Sequence, residues 1–177
     1  MTKATCIIGN PYIPSRVHVV GQYIFKSLIN VGVDTSIIDI VDLLNRMDMS
    51  NSEKRKNALS LETNLLLGAD LILVISPIYR ASYPGVVKAL FDELPHEALM
   101  DKIALPIMVG GTNRHYLAAR YTWSVMLQEL GAIVPKTVFI LDSSIDKERD
   151  TITDEALESL AESVKISLAI AKALAEI

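Results

Sequence analysis

The chain is poor in cysteine, in aromatic residues and in long hydrophobic runs. Its single cysteine, Cys6, cannot form an internal disulfide. The longest uncharged apolar run, residues 71–79, has nine residues, whereas a membrane helix needs about 20. Residues 4–9 are too short for the core of a signal peptide. We therefore expect a soluble, cytoplasmic protein, in which Cys6 lies buried and unreactive within an apolar strand.

The chain also lacks an excess of positive charge. It carries 17 Lys plus Arg against 21 Asp plus Glu, a net charge of -4, so nothing favours nucleic acid or an anionic membrane as a partner. With 50% hydrophobic and 21% charged residues, its composition excludes a disordered chain. The length of 177 residues predicts one domain over 1–177. A mean hydropathy of +0.33 favours a homo-oligomer, dimer or tetramer, that buries further aliphatic surface.

Five aliphatic runs alternate with helical patterns along the chain. Several runs are nearly continuous in Ile, Leu and Val, which is typical of parallel strands covered on both faces. The predicted strands are residues 3–9, 35–40, 70–76, 103–110 and 134–141, and the predicted helices are residues 17–30, 56–68, 84–94, 114–130 and 153–177. Residues 48–56 are polar and without periodicity, which predicts a mobile surface loop.

This alternation predicts a three-layer α/β fold with a five-stranded parallel sheet and helices on both faces. Two strand orders fit, the flavodoxin-like order 2-1-3-4-5 and a truncated dinucleotide-binding fold. In both, ligands bind beyond the carboxyl ends of the strands, where the strand order reverses.

The segment after the first predicted strand, residues 9–16, leads into the first helix. Backbone amides and Ser15 at a helix start can face an anion, and Arg16 adds a positive charge. This outline of a phosphate site lacks the spacing of the common nucleotide-binding loops. An ordinary turn with Ser15 as the helix cap is the alternative.

The segments after the third and fourth predicted strands, residues 76–85 and 110–113, are also rich in Gly, Pro and hydroxyl groups. The first, which contains Tyr79 and Tyr83, offers a rigid backbone to the edge of a flat heterocycle. Gly110 and Gly111 let the backbone approach a planar ring, because they have no side chains. We expect the three segments to converge at one edge of the sheet.

The usual catalytic sets are missing. His18, His96 and His115 are widely separated, so we predict no metal site. The chain has no GxSxG sequence of a hydrolase. Asp142 and Asp146 fit a solvated loop. A site of Gly, Tyr and backbone amides without an acid–base pair favours chemistry that is done by a bound cofactor.

Three stretches resemble the flavodoxin-like NAD(P)H-dependent FMN reductases, above all the reductases of two-component alkanesulfonate monooxygenase systems. They are Gly9-x-Pro-x-x-Pro-Ser-Arg16, Ser76-Pro-Ile-Tyr-Arg-Ala-Ser-Tyr-Pro-Gly-Val-Val-Lys88 and Leu105-Pro-Ile-Met-Val-Gly-Gly-Thr112. The first stretch departs from the family. Asn10 and Tyr12 stand where the family's Gly-Ser-Pro-Arg has Ser and Arg, and Val17 and His18 stand where it often has further serines.

The resemblance implies that FMN and NAD(P)H are the cofactors and that the flavin itself accepts the hydride, with no catalytic side chain. Ser15, Arg16 and neighbouring amides would hold the FMN phosphate, and Asn10 can donate a further hydrogen bond. The isoalloxazine would lie between two sets of residues, which are Pro77, Ile78, Tyr79, Arg80, Ala81 and Ser82 on one edge and Gly110, Gly111 and Thr112 on the other.

The resemblance further implies that the reduced FMN passes to a flavin-dependent monooxygenase. Two alternatives stay open. One is an enzyme that retains FMN and reduces quinones, azo dyes or metal oxyanions, and the other is a flavodoxin-type electron carrier.

The fourth predicted helix is apolar on two sides. A stripe for the sheet comprises Tyr116, Ala119, Trp123, Met126, Leu127 and Leu130. The opposite side carries Leu117, Ala118, Tyr121 and Val125, which predicts an oligomer interface at Leu117, Tyr121 and Val125. The resemblance implies that Tyr121 lies in a π-bulge, a feature that is often functional.

Overall fold

A five-stranded parallel sheet forms the centre of the computed structural model, which describes residues 1–46, 53 and 57–176. The spatial order of the strands is β2-β1-β3-β4-β5, which confirms the flavodoxin-like prediction and excludes the dinucleotide-binding order. Every residue of β3 and β4 is buried, as the continuous aliphatic runs predicted. The strands are β1 Lys3–Ile8, β2 Asp34–Asp39, β3 Leu71–Pro77, β4 Ile103–Gly110 and β5 Val138–Leu141.

Within the described residues, six helices cover the two faces of the sheet: α1 Arg16–Asn30, α2 Ile40–Leu44, α3 Ser60–Leu67, α4 Gly85–Asp92, α5 Tyr116–Glu129 and α6 Asp154–Leu174. Helices α1 and α6 pack on one face with Cys6 and Ile8, and the other four helices pack on the opposite face with Ile7. This division follows from the strand geometry, because successive side chains point to opposite faces.

Three elements differ from the sequence-based expectations. β5 begins at Val138 rather than at 134, since Pro135 has no N–H to donate to a ladder. The short helix α2, whose N-cap Asp39 accepts from Val41 N at 2.9 Å, was not predicted. A two-stranded antiparallel hairpin, β6 Ile145–Asp146 and β7 Thr151–Ile152, was also missed. The loop predicted over 48–56 lies outside the described residues except for Glu53.

Helix α5 has the predicted buried stripe, with Ala119, Trp123 and Leu127 almost fully buried. Leu117, Tyr121 and Val125 are more than 60% exposed on the other side. Tyr116, which was expected in the buried stripe, is half-exposed and contacts Phe139 edge-on. The helix is α-helical from Tyr116 to Glu129, so the expectation of a π-bulge at Tyr121 is wrong.

The strand order reverses between β1 and β3. The chain leaves β1 through α1 to reach β2 on one side, whereas β3 lies on the other side of β1. The segments that follow these two strands therefore diverge and leave a crevice at the carboxyl edge. Across the described residues, no helix is both long enough and apolar enough to cross a bilayer.

The position of β1 between β2 and β3, with both faces of the sheet covered, makes the thiol of Cys6 inaccessible. Its side chain is 0% exposed, and burial raises the pKa of the thiol to about 12. Because the thiolate is the reactive form, we expect the native protein not to react with an aromatic disulfide reagent at pH 8. In denaturant, one thiol per chain should react fast. Rapid reaction of the native protein would contradict the burial of β1.

Candidate functional site

A cavity of about 200 Å³ lies at the carboxyl edge of the sheet, at the reversal between β1 and β3. The segments after these strands, the end of β4 and the β6–β7 hairpin all contribute to it. Its lining residues are Asn10, Pro14, Ser15, Arg16, Val17, Pro77, Tyr79, Val109, Asp142 and Lys147. Five of the predicted site residues, Asn10, Ser15, Arg16, Pro77 and Tyr79, are thus brought together.

The first segment ends at the start of α1, where Ser15 is the N-cap. Its backbone is extended and its Oγ accepts from His18 N at 3.3 Å, so Ser15 does cap the helix, as the simpler interpretation held. The same hydroxyl lines the cavity. Arg16, the first residue of α1, donates from Nε to the carbonyl oxygen of Ile145 at 3.1 Å. This bond ties the guanidinium to the β6–β7 hairpin beside the cavity.

Ser15 is also the first member of a chain of three polar side chains. Its Oγ lies 2.6 Å from Nδ1 of His18, and Nε2 of His18 lies 3.1 Å from Oδ2 of Asp39 at the end of β2. The other carboxylate oxygen of Asp39 accepts from Val41 N. The His18 and Asp39 side chains are 15% and 19% exposed, so this chain of hydrogen bonds is largely shielded from water.

The second segment forms a tight turn at the rim of the cavity. Tyr79 N donates to Ser82 O at 2.8 Å, and Ser82 N donates to Tyr79 O at 2.9 Å. Arg80 and Ala81 between them have φ of 50° and 60°, the left-handed conformation that this turn type requires. Non-glycine residues in this conformation are strained, and such strain clusters at functional sites.

Three backbone amides of this segment are already bonded within the protein. The amides of Tyr79 and Ser82 are committed to each other's carbonyls, and Ile78 N donates to Val109 O at 3.0 Å. Ile78 itself is 8% exposed and packs inward. Arg80 and Ala81 are exposed on the outer side of this turn.

Tyr79 connects the first two segments. Its hydroxyl donates to Oδ1 of Asn10 at 3.0 Å, and Asn10 is 6% exposed. Desolvation raises the pKa of the Tyr79 phenol, and the nearby Tyr12 raises it further. The phenol therefore remains a neutral donor at neutral pH, and it fixes the amide of Asn10.

Gly110 and Gly111 in the third segment have different surroundings. A Cβ at Gly110 would lie 2.8 Å from Cε2 of Phe139 and 3.0 Å from Nδ1 of His115, so packing alone requires glycine there. A Cβ at Gly111 would meet only Oδ2 of Asp142, at 3.6 Å. Neither glycine has a positive φ. Gly111 is thus exposed and could accept a Cβ without a clash, whereas Gly110 is buried and could not.

The cavity has two cationic side chains, Arg16 and Lys147, and one anionic side chain, Asp142. Sequence reasoning missed Lys147, because a hairpin of two-residue strands has too little periodicity to be predicted. It assigned Asp142 to a solvated loop, whereas Asp142 begins a single 3-10 turn, Asp142–Ser144. The remaining predicted residues lie around the cavity rather than in its lining: Ile78, Arg80, Ala81, Ser82, Gly110, Gly111 and Thr112.

The chain is similar in sequence to known flavin reductases. The family model for NADPH-dependent FMN reductase matches residues 2–146. An FMN reductase (NADPH) of Pseudomonas aeruginosa is 31% identical over 160 residues, which cover 89% of this chain and 85% of that protein. An FMN reductase (NADPH) of Escherichia coli is 32% identical over 130 residues, with 73% and 68% covered.

Solved structures agree with the sequence comparison. The apo form of the NADH:FMN oxidoreductase EMOB superposes with a TM-score of 0.79 at 27% identity, and it covers 94% of this chain and 88% of that one. The match of the family model over most of the chain, together with the flavodoxin-like strand order, shows that the chain belongs to the NADPH-dependent FMN reductase family.

Proposed function

We propose that this enzyme, which transfers hydride from NAD(P)H to FMN, releases the reduced FMN to a separate flavin-dependent monooxygenase. We further propose that the cavity at the carboxyl edge holds the flavin phosphate, and that the turn at residues 79–82 and Gly111 contact the isoalloxazine. The proposed release of reduced FMN rests on one observation, which is that this cavity is small and its rim is exposed to solvent.

The residues at the cavity fit a flavin phosphate. The Ser15 hydroxyl and the amino end of α1 suit a dianion, and Arg16 and Lys147 supply positive charge. Gly111 has no side chain, and an added Cβ would meet only Asp142, so the backbone there can be approached by a flat ring. Hydride acceptance is the chemistry that FMN supplies when it is bound.

The contribution of the protein's own residues is to position the flavin. Asn10 is oriented by Tyr79, and the left-handed turn is closed by two backbone hydrogen bonds, so both contact surfaces are rigid before a ligand arrives. The hydrogen bond between Arg16 and Ile145 fixes one edge of the guanidinium and leaves the other edge for an anion. No side chain has to transfer a proton in this arrangement.

The dimensions of the cavity support exchange of the flavin. Its volume of about 200 Å³ is below the roughly 300–1,000 Å³ of pockets that enclose most of a ligand. Tyr79 is 40% exposed, and Arg80, Ala81 and Gly111 are also exposed. The phosphate end of FMN would be held while the ring lies against an open rim, so the flavin would dissociate readily.

Anaerobic turnover tests the release of reduced FMN. The purified protein is desalted, its absorbance at the flavin band is recorded, and excess FMN and NAD(P)H are added without oxygen. We expect a nearly colourless protein that forms many equivalents of reduced FMN per chain. A yellow protein whose FMN survives desalting and that reduces quinones or azo dyes would support the retaining enzyme. A yellow protein that does not oxidise NAD(P)H would support an electron carrier.

Replacing Arg16 tests the assignment of the phosphate. We expect Arg16→Ala to raise the Kd of FMN roughly ten- to a hundredfold, because a charge-assisted hydrogen bond contributes about 1.5–3 kcal/mol. The Kd of riboflavin, which has no phosphate, should change less than about twofold. Fluorescence titration measures both constants.

The matched control is Arg149→Ala, because Arg149 is an 83% exposed side chain of the hairpin turn. The melting temperature of Arg16→Ala reports the loss of the hydrogen bond to Ile145, and its Kd for FMN reports the loss of a ligand contact. Equal weakening of FMN and riboflavin would show that Arg16 does not contact the phosphate.

Replacing Gly111 tests the assignment of the ring. Gly111→Val should keep the melting temperature within a few degrees, because its Cβ meets only an ordinary contact, and it should abolish most flavin reduction by filling the space of the ring. Gly110→Val is the contrasting variant, since its Cβ would overlap Phe139, and it should lower the melting temperature strongly. Normal flavin reduction in the Gly111 variant would place the ring elsewhere.

We also propose that the chain forms a homodimer or homotetramer through the exposed side of α5. Leu117, Tyr121 and Val125 follow one another at helical spacing, and each is more than 60% exposed. Beside them lies a groove of about 440 Å³ between α5 and the segment before β5. An exposed apolar stripe with an adjoining groove is typical of a self-complementary interface.

Replacing Tyr121 tests this interface. Tyr121→Ala removes the largest of the three exposed side chains, so sizing chromatography at micromolar concentration should show partial dissociation. Tyr12→Ala, at an exposed tyrosine of the first segment that is 68% exposed, is the control and should elute like the wild type. An unchanged elution volume for Tyr121→Ala at all concentrations would exclude the interface.

A further inference from the structure

His18 contacts Ser15, the side chain that we assign to the flavin phosphate. Ser15 Oγ and His18 Nδ1 are 2.6 Å apart, the shorter of the two side-chain distances in the Ser15–His18–Asp39 chain. Ser15 Oγ also accepts from His18 N. The hydroxyl of Ser15 therefore has only one proton to donate, and His18 competes for it.

The protonation state of His18 decides where that proton points. Asp39 can only accept, so Nε2 of His18 carries a proton and donates to Oδ2. In the neutral imidazole, Nδ1 is then unprotonated and accepts the Ser15 proton. In the imidazolium, Nδ1–H donates to Ser15 Oγ instead, and the Ser15 proton becomes available to a phosphate oxygen.

We infer that His18 is a positioning residue that couples binding of the flavin phosphate to uptake of one proton. The inference rests on the proposed phosphate site. Binding of the dianion by Ser15 requires the imidazolium form, because only that form leaves the Ser15 O–H free. The imidazolium also brings a positive charge close to the phosphate.

Titratable and charged groups of both signs surround His18, and one of them pairs with it directly. Asp39 contacts it from the end of β2. A neighbouring cavity of about 520 Å³ includes Tyr23 and Lys26 of α1 and Lys147 and Asp150 of the hairpin together with His18, and Arg16 begins the same helix. Of these groups Asp39 alone is within hydrogen-bond distance of the imidazole, so the proton taken up is stabilised by a directly paired carboxylate.

The sign of the linkage follows from these contacts. The bound state holds one more proton than the free state wherever free His18 is neutral, so the affinity for FMN falls as pH rises. Histidine side chains change charge between about pH 5 and 8. The Kd of FMN should therefore rise with pH, by at most about tenfold per pH unit for one proton, and the Kd of riboflavin should not follow it.

Calorimetry of the whole protein measures the proton directly. FMN is titrated at pH 7.5 in buffers of different ionisation enthalpy, and riboflavin is titrated in parallel. We expect uptake of between about half and one proton per FMN and close to none for riboflavin. The phosphate's own titration cannot imitate this result, because a phosphate entering a cationic site would release protons.

Substitutions then identify the side chain that takes up the proton. His18→Gln should bring proton uptake close to zero and flatten the pH dependence of the FMN Kd. Asp39→Asn, which retains a capping oxygen for α2, should reduce the uptake. His96→Gln is the matched control at an exposed histidine and should behave like the wild type.

The outcomes separate the two proposals. No proton uptake, proton release, or equal uptake with riboflavin in the wild type would overturn the role of His18 whether or not the variants fold. Uptake that persists in a folded His18→Gln variant would also overturn it. Absence of both FMN binding and NAD(P)H oxidation with added FMN would instead overturn the proposed function.

Discussion

The site depends on hydrogen bonds that extend the central sheet beyond its strands. Gly9 N donates to Ile75 O at 2.7 Å, which continues the pairing of β1 with β3, and Ile78 N donates to Val109 O, which continues the pairing of β3 with β4. The beginnings of the first two functional segments are therefore held to the sheet. Only beyond these bonds do the segments diverge, so the cavity between them has a rigid floor.

Most of the fold could be predicted, because burial on both faces gives a parallel strand a strong signature. β3 and β4 are nearly uninterrupted aliphatic runs, and the structure buries every residue of both. Elements stabilised by a few local contacts gave no such signal. Helix α2 has five residues and depends on the cap at Asp39, and the β6–β7 hairpin has two residues per strand. The π-bulge expected at Tyr121 came from resemblance alone, and α5 is regular there.

The candidate site was predictable to the extent that it lies in segments adjoining long strands. Asn10, Ser15, Arg16, Pro77 and Tyr79 could be proposed because they follow β1 and β3, or form the end of β3, and they line one cavity. Lys147 and Asp142 could not be proposed, since a short hairpin and a single 3-10 turn bring them to the cavity. The contact between His18 and Asp39 was equally hidden, because 21 residues separate a helix start from a strand end.

The single tryptophan of the chain has a consequence for following the protein in solution. Trp123 is completely buried on the inner face of α5, and its ring centroid lies 4.7 Å from that of Tyr83 and 5.6 Å from that of Phe91. Tyr83 directly follows the left-handed turn at the rim of the cavity. Emission from this one indole therefore originates from a fixed place close to the turn at residues 79–82, and a flavin bound at the proposed site would quench it by energy transfer. The intrinsic fluorescence of Trp123 can therefore report binding of a flavin without an attached dye.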